Sequence, residues 1–317
     1  MKNSPQADYA SLIDAQTHDF IRRTELWYPP GTTGQSIEAQ RRTYDALCRE
    51  FHRDYPPEVT ASDDTTGIST RHYVRASADS TTAAAQVVYF HGGGFVVGGL
   101  ESHDDVCAEI CQASGFPVTA IDYRLCPEHT HPAAFEDAVA GVEKAWQASQ
   151  MPIVLVGDSA GGNLAAAVAH QLRSSSIKLA GQVLIYPGLG GDMSKGSYLQ
   201  HANAPMLSTE EVEYYATLRA SASHDKSDPT LSPLSDSDFS ALPPTLVFGA
   251  ECDPLSDDGK HYRDRILQAG GKAAWFNEAG LVHGYLRARS TVERAESSFK
   301  RIVEGIHLLG TGQWLNT

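Results

Sequence analysis

No apolar run in this sequence approaches the roughly 18 residues that a membrane-spanning helix needs. The opening stretch, Met1 to Ala10, is polar and has no apolar segment of the kind a secretory signal carries, so a cytoplasmic protein is expected. Positive charge is in short supply. Lys and Arg number 25 against 39 Asp and Glu, a formal net charge of −14. That deficit argues against nucleic acid or an anionic membrane surface as the main partner. Cysteine is scarce as well: Cys48, Cys107, Cys111, Cys126 and Cys252, an odd count at irregular spacing. Cys107 and Cys111 stand four apart on an expected helix. No second Cys or His pair follows at zinc-ligand spacing, so buried small thiols are the reading and no metal is expected. Internal repeats and low-complexity tracts are missing too. What remains, 317 residues with 41% hydrophobic and 20% charged, is an ordinary globular composition, long enough to build a core without disulfides.

The patterning is that of alternating strands and helices. Ile37, Tyr44, Leu47, Cys48 and Phe51 recur at helical spacing, and Tyr55-Pro56-Pro57 ends that helix. Residues 69–75 alternate as a strand does. Residues 86–90 form a short apolar run, the mark of a strand buried on both faces. Further strands are expected at 117–122, 152–157, 181–186, 245–249 and 272–277, with helices at 132–148, 160–172 and 258–269. This order implies an α/β fold with a mostly parallel sheet. A stretch rich in Gly, Ser and Asp, 188–229, interrupts the rhythm. It holds one helix signal, Ser208 followed three residues on by Glu211, a capping box. The N-terminal helices and this insertion are candidates for one lid over the sheet. The expected strand at 272–277 is a candidate edge for pairing across a two-fold axis in a homodimer.

Chemistry concentrates at Gly157-Asp158-Ser159-Ala160-Gly161. As a bare G-x-S-x-G pattern this is weak, but a strand run precedes it and a helix pattern follows. A serine on such a sharp turn sits at a helix N-terminus, whose free N–H groups and positive dipole end face the reaction site. His91-Gly92-Gly93-Gly94 follows the strand at 86–90. Its glycines let bare backbone N–H groups approach a substrate, as stabilising a carbonyl oxygen that becomes an oxyanion requires. A serine needs a base, and the base an orienting acid. His283 follows the last expected strand and Asp253 the one before it, both at strand ends where open α/β sheets place their sites. The order Ser159, Asp253, His283 is that of an α/β-hydrolase triad. Glu251, Asp257 and Asp258 are rival acids. His129 and His131 read as loop residues, and His103 as part of a helix start.

These motifs, with Tyr123-Arg124-Leu125-Cys126-Pro127-Glu128, Asp253-Pro254-Leu255 and His283-Gly284-Tyr285, run in family order, and the sequence resembles the bacterial hormone-sensitive-lipase-like esterases within the α/β-hydrolases. Cys126 stands where that family most often has alanine. The resemblance implies an α/β-hydrolase fold with a helical cap. It divides the chain into an N-terminal cap segment (1–60), a catalytic part (61–189), a cap insertion (190–229) and a second catalytic part (230–317). It implies a serine carboxylesterase acting on short-chain acyl esters with no cofactor. By motif position, Gly93, Gly94 and Ala160 would form the oxyanion hole, and His91 and Glu128 would hold their loops. Phe95, Leu207 and Val282 are candidate pocket walls. The small-molecule ester is the expected partner. An amidase or deacetylase with the same triad, and a non-catalytic ligand-binding relative, are the alternatives.

Overall fold

Successive residues of a strand face opposite sides of a sheet, and here both sides are filled. In β3 (Gln86–Phe90), Val87 and Tyr89 join one hydrophobic cluster while Val88 and Phe90 join the other. The same split recurs in β5 (Ile153–Asp158), with Val154 and Val156 on one side and Ile153 and Leu155 on the other. Apolar runs without polar alternation are therefore strands covered on both faces. The computed structural model describes residues 7–76, 83–220 and 227–315.

The strands form one eight-stranded sheet in the order β1-β2-β4-β3-β5-β6-β7-β8. The remaining members are β1 (Val59–Asp64), β2 (Thr70–Arg75), β4 (Val118–Ile121), β6 (Leu179–Ile185), β7 (Thr245–Cys252) and β8 (Ala273–Val282). β1 and β2 pair antiparallel, and β2 joins β4 the same way. Every pair from β4 to β8 is parallel. The expected mostly parallel sheet is thus present, and the strand expected at 272–277 does stand at an edge, extended to Val282. β1 was not foreseen: of its six residues only Val59 is buried, so it has no apolar run to betray it.

Helices cover both faces. α4 (Asp104–Ser114) and α10 (Glu293–Gly310) lie on one. α5 (Ala133–Ser149), α6 (Ala160–Leu172) and α9 (Ser256–Gln268) lie on the other. α6 matches its expected span. The N-terminal helices are α1 (Tyr9–Leu12), α2 (Ala15–Trp27) and α3 (Ile37–Phe51). They bury Phe20, Ile21, Leu47 and Phe51 in the main cluster, so they are anchored to the core. Burying one such side chain is worth roughly 1.5–3 kcal/mol.

α7 (Gly196–Gln200) and α8 (Thr209–Arg219) lie in the segment between β6 and β7. The capping box on Ser208 forms as read, Ser208 Oγ accepting from Glu211 N and Glu211 Oε2 accepting from Ser208 N. α8 meets the N-terminal helices directly. The hydroxyls of Tyr28 and Tyr215 are 3.1 Å apart, and Gln40 Nε2 donates to the Tyr214 hydroxyl at 2.7 Å. Both segments therefore stand together at the end of the sheet where β3, β5, β7 and β8 finish. Among the described residues no helix is long and apolar enough to cross a membrane.

Candidate active site

Four strand ends deliver the motifs to one place. β5 stops at Asp158 and α6 starts at Ala160, which leaves Ser159 alone on the turn with φ 53° and ψ −115°. A positive φ in a non-glycine residue costs of order 1–3 kcal/mol and is held only by its surroundings. Here Ser159 N donates to the Ile185 carbonyl at 2.8 Å, and Asn163 N donates to the Ser159 carbonyl at 3.1 Å. The flanking glycines are needed for contact. A Cβ on Gly161 would overlap the Phe90 carbonyl, and one on Gly157 would overlap the Gly161 carbonyl.

His283 follows β8 and Asp253 follows β7. Asp253 is fully buried, and its Oδ1 accepts from Leu255 N at 2.9 Å. Its Oδ2 is 2.7 Å from His283 Nδ1, and His283 Nε2 is 2.8 Å from Ser159 Oγ. With Nδ1–H donating to the carboxylate, the Nε2 lone pair faces the serine. The three residues are brought together as a chain of two hydrogen bonds. The rival acids are engaged elsewhere. Glu251 accepts from Gly280 N, Asp257 from Ser197 N, and Asp258 from Leu189 N, Gly191 N and the Tyr198 hydroxyl.

The glycine loop begins where β3 ends. Gly92 N donates to Asp158 Oδ1 at 2.9 Å, and the Gly93 carbonyl accepts from Val96 N and Val97 N. Gly93 and Gly94 have φ of 128° and 60°, and among the described residues neither N–H has an acceptor. Gly93, Gly94 and Ala160 all line the cavity that holds Ser159 and His283.

Asp158 is buried. Burial by itself would raise its pKa. The neighbouring His103, the Tyr89 hydroxyl and the charge of Arg287 outweigh this and hold it well below the usual carboxylate range. Tyr89 donates at 2.8 Å, and His103 Nε2 stands 3.3 Å away, at ion-pair distance but outside hydrogen-bond geometry. His103 flanks the start of α4 as read, with this second contact unforeseen. His91 stacks on Tyr123, ring centres 4.3 Å apart, and its Nδ1 donates to the Gly92 carbonyl. Burial and the nearby His103 push its pKa down to about 4, so it is neutral.

Glu128 takes a two-pronged pair from Arg41 at 2.9 and 2.7 Å. Arg41 also donates to the carbonyls of Val96 and Cys126, so one residue of α3 ties the glycine loop to the 123–128 segment. No sequence signal pointed to Arg41. All five cysteines are buried and unbridged.

The cavity encloses about 1070 Å³. Phe95 and Leu207, candidate wall residues, stand on its wall. Val282 does not: it pairs with Cys252 of β7 and its side chain is fully buried in the main core. The wall is completed by residues that motif reasoning missed, chiefly Tyr28, Tyr44, Met206, Tyr215, Arg219 and Arg287. Tyr215 and Arg219 stand four apart on α8, and the others come from separate helices and loops with no shared local pattern.

Comparison with known proteins agrees with this geometry. A family model described as alpha/beta hydrolase fold matches residues 87–287. The chain is 35% identical over 240 residues to ethyl acetate hydrolase of Pseudomonas putida, covering 72% of this chain and 74% of that one. It is 34% identical over 277 residues to esterase LipI of Mycobacterium tuberculosis, covering 84% and 86%. Among solved structures, a hyperthermophilic esterase from Pyrobaculum calidifontis superposes with a TM-score of 0.83 at 28% identity, over 97% of this chain and 100% of that one. The chain belongs to the α/β-hydrolase fold family and is a carboxylic ester hydrolase of its hormone-sensitive-lipase-like branch.

Proposed function

We propose that the chain hydrolyses short-chain acyl esters through Ser159, His283 and Asp253 by way of an acyl-enzyme. The observation that carries this is the pair of hydrogen bonds linking Ser159 Oγ, His283 and Asp253, at 2.8 and 2.7 Å. Ser159 Oγ forms the bond to the ester carbonyl carbon as its proton passes to His283 Nε2. The carbonyl oxygen becomes an oxyanion facing the N–H groups of Gly93, Gly94 and Ala160. The carbon–alkoxy bond then breaks, and His283 returns the proton to the leaving alcohol. Water, deprotonated by His283, attacks the acyl-enzyme and releases the acid and the serine. Asp253 holds the ring and stabilises its cationic form.

The N-terminal helices and the 190–229 insertion act as a cap that bounds the substrate cavity, with 61–189 and 230–317 as the catalytic body. Support comes from the α8 contacts with Tyr28 and Gln40 and from the cavity residues both segments supply. The preference for short acyl groups draws on the relative named for ethyl acetate.

The test is an initial-rate series on p-nitrophenyl esters of increasing acyl length, with Ser159→Ala beside the wild type. Rates that peak at a short acyl chain and vanish in the variant are expected. Absence of turnover at every length in folded protein overturns the reading, and turnover of matched anilides above esters would make it an amidase.

A further inference from the structure

Most arginines that leave the surface of this protein are paired with carboxylates; Arg265 instead donates to the carbonyls of Leu234 and Asp236, away from the cavity. Arg289 is held by Asp105 and Glu109, and Arg71 by Asp63, Glu101 and Asp104. Arg219 and Arg287 have no carboxylate partner among the described residues, and both line the cavity that contains Ser159.

Arg219 is 5% exposed. It donates to the neutral carbonyls of Leu231 and Thr230, and its Nε–H has no acceptor. Its guanidinium lies 3.6 Å from the centre of the Phe95 ring, directly after the glycine loop. Arg287 stands four residues beyond His283. It donates to Cys48 Sγ at 3.1 Å and lies over the Tyr44 ring at 4.8 Å, and its Nε–H is likewise unmatched. A guanidinium carries five N–H donors and stays charged, so both keep unused donors.

The acidic residues of the wall form no ion pair or hydrogen bond with either arginine, although Asp158 feels the charge of Arg287. Asp158 is committed to Tyr89, Gly92 and His103, and Glu211 caps α8 through Ser208. Glu25 and Glu210 line the cavity but are exposed to solvent. Burial pulls the Arg219 pKa down to about 9, as an uncompensated charge demands. Desolvated cations of this kind are costly unless an anion arrives to pair with them. The cavity is also far larger than an acetyl or butyryl group fills.

We propose that the cavity selects esters bearing a carboxylate on one arm, held by the guanidinium groups of Arg219 and Arg287. This rests on the esterase reading above. A carboxylate fits better than a phosphate dianion. Arg219 has already given two donors to carbonyls, and among the described residues no lysine lines the cavity to share a second charge.

The experiment compares matched pairs in the wild type. One pair is p-nitrophenyl hemiglutarate against its methyl ester, with the anion on the acyl arm. The other is 4-acetoxybenzoate against its methyl ester, with the anion on the alcohol arm. A preference for the anion of about tenfold or more in kcat/KM, in at least one pair, is expected; tenfold is the yield of one modest charge-assisted contact. In Arg287→Met and Arg219→Met, the anion-to-neutral ratio falls toward one, an internal ratio that does not depend on how much enzyme folds. Glutarate is also expected to inhibit p-nitrophenyl butyrate hydrolysis competitively in the wild type. Neutral esters turned over as well as or better than anionic ones in both pairs overturn the proposal and leave the esterase reading standing. A preference that survives both substitutions overturns the assignment to these arginines. No hydrolysis of any ester, anionic or neutral, by folded protein would sink the parent reading instead.

Discussion

The backbone amide of Gly92 donates to the Oδ1 of Asp158 at 2.9 Å. The residue before the proposed nucleophile therefore holds the glycine loop that faces it. A Cβ at Gly92 would overlap that same carboxylate, so glycine is required for the approach. Asp158→Asn is expected to lower kcat for p-nitrophenyl butyrate by about tenfold to a hundredfold, because the loop loses its charged acceptor. Because the Asp158 pKa is depressed in the fold, its stabilisation is present above the ordinary carboxylate pKa and fades as pH falls below it. Urea unfolding of wild type and variant should differ by a constant amount from pH 7 to pH 5 and converge below about pH 4. A gap that persists to low pH would refute the charged role.

Ser159→Ala and His283→Ala are expected to abolish ester turnover with near-wild-type melting. Asp253→Asn should cost on the order of 10⁴ in kcat, since an amide can orient the wrong histidine tautomer. Near-full activity in Asp253→Asn would require another acid, which the commitments of Glu251, Asp257 and Asp258 leave no room for.

Gly94 lies beneath the cap. A Cβ there would meet the Tyr215 ring at 2.5 Å, on a backbone already at φ 60°. Gly94→Ala should therefore reduce kcat/KM by roughly a hundredfold, the scale of losing one oxyanion donor. Adding Tyr215→Ala should recover part of that loss by clearing the ring, while the positive-φ strain of about 1 kcal/mol remains. No recovery in the double variant would place the damage in the loop backbone alone.

Two buried groups pull stability in opposite directions over one pH window. Burial raises Asp258 to about 6, so the fold retains a proton the unfolded chain has lost, and stability falls as pH rises from about 4 to 6. His91, pushed down to about 4 by burial, refuses a proton the unfolded chain accepts, so stability rises with pH from about 4 to 6.5. Each effect is about 3 kcal/mol at most, and they nearly cancel. Asp258→Asn should expose a rising slope and His91→Asn a falling one in denaturant titrations from pH 4 to 7. Parallel profiles for both variants and the wild type would contradict this.

Much of the fold could be read along the chain because burial on both faces leaves uninterrupted apolar runs. β3 and β5 bury every residue, and both were legible. β1 was not, since Val59 alone is buried, and its backbone pairing with β2 and the Asp63–Arg71 ion pair leave no apolar pattern along the chain. Residues on sharp turns were legible as well: Ser159 between glycines and the glycine loop after β3 announce themselves by composition. Of the candidate wall residues, Leu207 and Phe95 line the cavity. Val282 does not, because the end of β8, Leu281 included, packs into the main core.

The sequence by itself determined the strand-helix order, the serine turn, and the histidine and aspartate at strand ends. These are local: each depends on a few consecutive residues and the geometry they permit. Only the tertiary structure decided which carboxylate meets His283, that Arg41 braces the glycine loop, and that Arg219 and Arg287 are left unpaired in one cavity. Those outcomes depend on residues tens to hundreds of positions apart, whose distances are set by packing of the sheet and cap. No spacing rule along the chain encodes them.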